Sequence, residues 1–149
     1  MTTIIRTIFI ALAIGLLAIG GAGAEAAKHR VVIQIDQNDP ETMNMVLNNT
    51  KNVLEYYGGK NEDAQVDIVA YGPGLNMLRD DTSPVKDRIK DMAAANASKI
   101  VFDACNNTKQ AMEKREGHPI AIIPQATIVP SGVVRVMELE EQGYSYVKP

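Results

Sequence analysis

The chain has 149 residues, with 15 Lys and Arg against 18 Asp and Glu, for a formal net charge of −3. That mild acidity, with no basic run and no Lys/Arg-rich helix face, argues against nucleic acid or an anionic membrane as the main partner. A single cysteine rules out an internal disulfide scaffold, and the absence of tryptophan leaves the core to Val, Ile, Leu, Met and Tyr.

Residues 1–24 read as a secretory signal peptide. Arg6 supplies a positive start, Thr7 to Ile19 is an almost unbroken apolar run, and Ala22-Gly23-Ala24 has the small-x-small spacing of a cleavage site. The run is shorter than the roughly 20 residues a spanning helix needs, which makes an uncleaved anchor the lesser alternative. Cleavage leaves roughly 125 residues, a common size for one domain with one core. The expected setting is periplasmic or secreted, with no stable membrane association once the signal is removed.

The folded part, residues 28–149, opens with His29-Arg30 and the dense β-branched run Val31 to Ile35, suited to a strand buried on both faces. Asp39 and Pro40 then open a helix, and Met43, Val46, Leu47, Thr50, Leu54 and Tyr57 share one of its faces. Gly58 and Gly59 are placed to close it in the left-handed conformation. Ala64 to Gly72 reads as a second strand, and Ser83-Pro84 opens a second helix with Val85, Ile89, Met92 and Ala93 on one face. Lys99 to Ala104 is a third strand, followed by a short polar helix from Thr108 to Gly117. Pro119, Pro124 and Pro130 break the next apolar stretch into one or two short strands. Ser131 caps a last helix, Gly143 ends it, and Tyr144 to Pro149 is a terminal strand. Strands alternating with helices predict a single three-layer α/β domain around a mostly parallel sheet of about five strands, with right-handed crossovers.

Ligands of open α/β sheets bind beyond the carboxyl ends of the strands. Three segments fall there. Gly72-Pro73-Gly74 follows strand two, where free amides can hold an anion; an ordinary strand-to-helix turn is the plain alternative. Cys105 ends strand three, and Asn106, Asn107 and Thr108 begin a helix whose amides and dipole favour the thiolate; the alternative is a buried, inert cysteine. In Pro124 to Gly132, Gln125, Ser131 and Gly132 offer an anion-binding helix start or a plain cap. His29 and His118 show no metal-ligand spacing with Cys105. A Cys105–His118 hydrolase pair lacks an orienting third group. Asp80-Asp81 reads as a solvated loop and helix-start charge. No metal and no organic cofactor are expected.

The segments YGPGLNML, FDACNNT and IPQATIVPSGVVRVMELEEQGYSYVKP, in this order, resemble the DsrE/DsrF-like family, in particular its small exported branch. The likeness spans Arg30 to Pro149 and is most specific in the terminal block. It implies a compact α/β fold assembled as homotrimers or homohexamers, with sites near subunit boundaries. Better-known relatives carry sulfur as a cysteine persulfide between donor and acceptor proteins. The resemblance makes Cys105 the sulfur-accepting residue, as persulfide or thiosulfonate, in a carrier rather than a turnover enzyme. Asn107 and Thr108 match the family's helix start, and Gly72, Pro73 and Gly74 its neighbouring loop, while Asn106 stands where glycine often follows the cysteine. Two other functions fit the same residues: an oligomeric small-anion binding module without covalent chemistry, and a thiol redox sensor.

Overall fold

The structure is a computed structural model that describes residues 27–149, so the signal segment expected at 1–24 lies outside the described residues. The β-branched run forms strand β1 (His29–Ile35), and the periodic segment after it forms helix α1 (Pro40–Gly58). Asp39 caps α1 by accepting the Thr42 N–H at 2.8 Å, and Pro40 occupies the first turn, where its missing N–H costs nothing. Met43, Val46, Leu47 and Thr50 are its buried face. The reversal after α1 falls on Asn61, with φ 55°, and not on the two glycines, since Gly59 keeps a right-handed φ of −63°. Asn tolerates that region better than other side chains.

Strand β2 (Ala64–Ala70) leads into a 3-10 segment (Gly72–Leu78), and α2 (Lys86–Ala95) begins later than its Ser83-Pro84 signal predicts. The Ser83 hydroxyl donates to the Met77 carbonyl, which pins the 3-10 segment, and accepts the Val85 N–H only at 3.4 Å, ahead of the helix. Strand β3 (Ile100–Cys105) runs directly into α3 (Asn106–Glu116), which Gly117 closes at φ 77°. Strand β4 (Ala126–Val129), α4 (Gly132–Glu141) and β5 (Ser145–Val147) complete the chain, with Gly143 at φ 88° after α4. Ser131 holds the position before α4, but its side chain makes no capping bond.

The sheet has five strands in the order β4-β3-β2-β1-β5, and every neighbouring pair is parallel. From β1 to β4 the chain steps one way across the sheet, so right-handed crossovers put α1, α2 and α3 on a common face. The return from β4 to β5 spans the sheet the other way and puts α4 on the opposite face. Packing agrees. Ile33, Ile68 and Phe102 cluster with Met43, Ile89 and Met112 of the three helices, whereas Val32 and Val69 cluster with Val136 and Leu139 of α4. The two clusters alternate along each strand, as the pleat requires. The result is the three-layer α/β domain that the alternating pattern predicts.

Candidate functional site

Because α3 and α4 leave adjacent strands toward opposite faces, the chain reverses its direction across the sheet between the carboxyl ends of β3 and β4. This is the topological switch point, where open α/β sheets bind ligands. Cys105 stands in it, as the last residue of β3 and the residue before α3, directly opposite Val129 of β4. The first turn of α3 is tied there to the link between β4 and α4 by the Asn107 N–H, which donates to the Pro130 carbonyl at 3.3 Å.

The thiol is 4% exposed. Burial alone pushes its pKa up, but the Thr108 hydroxyl and the N–H groups of Thr108, Gly132 and Asn107 outweigh that cost, and the net displacement is downward. Two helix starts thus present amides to one sulfur, and a helix dipole adds to the same sign. Thr108 does a second job, since its Oγ1 accepts the Gly72 N–H at 2.9 Å. Gly132 has to be glycine here: a Cβ would meet Cβ and Cδ1 of Tyr71, each at 2.8 Å, and force the start of α4 away from the end of β2.

Of the residues singled out in the sequence, Cys105, Asn107, Thr108 and Gly132 come together around Sγ. Asn106 is the first residue of α3 and has no positive φ, so the turn after Cys105 does not need glycine at that place. Gly72, with φ 52°, reaches the site only through Thr108. Gly74 serves packing, because a Cβ there would collide with the Ile35 carbonyl carbon at 2.6 Å and the Asp36 nitrogen at 2.8 Å. Pro73 lines a cavity of about 490 Å³ between the 3-10 segment and α3, together with Gly72, Asn107, Thr108, Arg79 and Arg115. Ser131 precedes Gly132 at the mouth of α4. Gln125 does not belong to the site. It precedes β4 and lines a separate depression with Asp87 and Lys90, at the amino end of the strand.

Neither histidine is near the thiol. His118 follows Gly117, beyond the far end of the 11-residue α3, and its ring Nδ1 lies 2.9 Å from the Pro119 carbonyl oxygen. Such a helix is roughly 16 Å long, so a Cys105–His118 pair is excluded. His29 starts β1 and stacks on Tyr57 with ring centroids 3.6 Å apart. Asp81 is not merely solvated. It shares the buried Arg79 guanidinium with Glu116, and those hydrogen bonds from Arg79 pull its pKa down to about 2. Among the described residues, no three His, Cys, Asp or Glu side chains form a group that could hold a metal ion.

A second set of polar residues lies under α4 and has no counterpart among the residues chosen from the sequence. Asp103 of β3 is 2% exposed and accepts from Arg135 Nε of α4 at 2.6 Å. Asp67 of β2 is fully buried, and neither of its carboxylate oxygens has a hydrogen-bond partner. Burial pushes the Asp67 pKa up to about 6; nearby Tyr144 and Arg135 oppose the rise and Asp103 adds to it. Tyr144, pushed up to about 12 by burial and by Asp67, keeps its proton, with Arg30 stacked over its ring at 5.3 Å. The signal was present in AQVDIVA and IVFDAC, where a lone Asp interrupts an otherwise apolar strand.

Fold and site together define a parallel α/β domain with a buried, thiolate-favouring cysteine at its switch point. No family model matches the chain, and no curated protein matches it. Among solved structures it is similar to a protein of unknown function, MTH1491 from Methanobacterium thermoautotrophicum, at 26% sequence identity. That match covers 81% of this chain and 99% of the other, with a TM-score of 0.69.

Proposed function

We propose that the protein is an exported, DsrE/DsrF-like sulfur carrier in which Cys105 accepts sulfane sulfur and passes it on. The observation behind this role is the place of Cys105 at the end of β3, immediately before α3 and opposite the strand that leads into α4, where the Thr108 hydroxyl and nearby amides hold the thiol below its ordinary pKa despite burial. With thiosulfate as donor, the Cys105 thiolate attacks the outer sulfur and forms a new S–S bond. The original S–S bond breaks, its electron pair leaves on sulfite, and Cys105 holds a persulfide anion. A partner thiolate then attacks the outer sulfur and releases the Cys105 thiolate, so no external oxidant or reductant is needed. The same amides stabilise the persulfide anion as they do the thiolate. Val133, Val134 and Met137, about half exposed on α4 beside the site, suit burial against further copies of the chain in a homotrimer or homohexamer.

Treating the mature protein with thiosulfate or polysulfide should add 32 Da per added sulfur atom, an increment set by sulfur's atomic mass, and Cys105→Ser should abolish the adduct. No adduct on the wild type, with a thiol of ordinary pKa, sinks the carrier role.

A second function, small-anion binding without covalent chemistry, would use the 490 Å³ cavity, which is not lined by Cys105; its Arg79 and Arg115 are paired with Glu116 in the same lining, so an anion would compete with that carboxylate. Calorimetric titration with sulfate and sulfite separates the two, since the module binds equally well after Cys105→Ser. A redox sensor requires two Cys105 residues to approach within roughly 7 Å between Cα atoms. Non-reducing electrophoresis under mild oxidant tests it, with a crosslinked dimer as the positive result.

A further inference from the structure

Helix α4 contributes one of the three amides around Cys105, that of Gly132, yet Val136 and Leu139 are its only large apolar side chains buried on the sheet. Two side chains on a shallow surface do not fix how far a helix slides or turns. The Arg135–Asp103 pair does. Asp103 is 2% exposed, and separating so buried a carboxylate from its cation is strongly disfavoured. Arg135 is therefore held over β3, and a second carboxylate, Asp67, draws it the same way. The two ends of this pair are tied directly to the site. Asp103 lies two residues before Cys105 on β3, and the Arg135 N–H donates to the Ser131 carbonyl at 3.0 Å in the first turn of α4, next to Gly132.

We propose that Arg135 is a positioning residue for the Cys105 site: its pairing with Asp103 seats the first turn of α4 on β3 and aims the Gly132 N–H at Sγ. It touches neither the sulfur nor anything bound there. The groups that face the guanidinium are Asp67 from β2, Asp103 from β3 and Tyr144 from the segment after α4. A guanidinium suits this place because its planar fork fixes direction, where an ammonium supplies only a point charge. The inference rests on Cys105 acting as a thiolate, and its test keeps the two apart.

The pH dependence of iodoacetamide alkylation is measured on the mature protein for wild type, Arg135→Met, Arg135→Lys and, as control, Leu139→Ala. Each variant is checked for fold by circular dichroism and hydrogen exchange. Leu139 is buried in the last turn of α4, so its truncation weakens the helix docking without touching the ion pair. Losing the Gly132 amide should move the Arg135→Met profile to higher pH, cutting the alkylation rate at pH 7 by about threefold to tenfold, where tenfold equals one pKa unit. Arg135→Lys should fall between that variant and wild type, and Leu139→Ala should keep the wild-type profile. An unchanged profile in folded Arg135→Met overturns the assignment, and so does a shift of equal size in Leu139→Ala. If the Met variant does not fold, Arg135→Lys carries the test, and an unchanged profile there overturns it. A wild-type thiol of ordinary pKa instead removes the thiolate role of Cys105, and this inference with it.

Discussion

On one face of the sheet, α1, α2, α3 and the 3-10 segment enclose a dry cluster in which Met43, Leu47, Ile68, Leu75 and Phe102 are all essentially fully buried. On the other face, α4 alone lays Val136 and Leu139 against Val32 and Val69, and Asp67, Asp103, Arg135 and Tyr144 occupy the remaining space. The first face is held by apolar area, with no direction and little tolerance of voids. The second is held by a few directional polar contacts, which specify where α4 sits at a cost in desolvation. The thiol lies where the second kind of packing meets the sheet's carboxyl edge. Stability resides mostly in one face and the chemistry of the site in the other.

The sharpest way to break this contrast is to cut the same side chain on each face. Leu47→Ala should cost about 3–5 kcal/mol, because its surroundings cannot collapse, and Leu139→Ala about 2 kcal/mol, the low end for such truncations. Urea unfolding at pH 7 measures both, and equal losses would show that α4 is as tightly packed as α1.

Next in size is Asp67→Asn, which should stabilise the protein by about 1–3 kcal/mol at pH 8. The sign follows from the raised folded pKa of about 6, against an ordinary value near 4 in the unfolded chain. The folded state binds the Asp67 proton more tightly, so this residue's contribution is most favourable below about pH 4. That advantage is lost as the pH rises to about 6, and the carboxylate then stays a burden at higher pH. The Asn variant should lack this fall, and a gain that is the same at pH 4 and pH 8 would contradict the assignment.

A smaller effect, about 1 kcal/mol, is expected for Thr108→Val, which leaves the Gly72 N–H without its acceptor and removes the hydroxyl from Sγ. Its thiol should titrate at higher pH than wild type. Smallest is Asp81→Asn, at most about 1 kcal/mol near neutral pH, because its carboxylate is largely solvated. The folded pKa of about 2 means that this contribution is present above about pH 4 and is lost as the pH falls through 2.

The α/β class, all five strands and the whole of α1 are legible in the sequence. Strand runs, the Asp39-Pro40 start and a 3.6-residue apolar period are local features, and local sterics and hydrogen bonding act on them directly. Cys105 at a strand's end before a helix is legible for the same reason. Less legible are the features whose residues are spent elsewhere. Ser83 looks like the start of α2, yet the helix begins only at Lys86 while the Ser83 hydroxyl donates to Met77, and Gly72-Pro73-Gly74 looks like an open anion loop but forms a 3-10 turn packed on Ile35. Gln125 looks like part of the Ser131-Gly132 segment, yet the strand between them carries it to the other end of the sheet.

The sequence by itself determined which segments become strands and helices and that the thiol stands at a strand's end before a helix, because those depend on neighbours a few positions away. Only the tertiary structure decided that β4 lies beside β3 and that α4 crosses to the opposite face, since strand order is set by pairing between distant segments. That choice alone brings Gly132 to Cys105, 27 positions earlier in the chain, and buries Asp67 and Asp103 beneath Arg135. A pKa depends on everything within a few ångströms, whatever its place in the chain. The identity of the thiol was therefore written locally, and its chemistry was not.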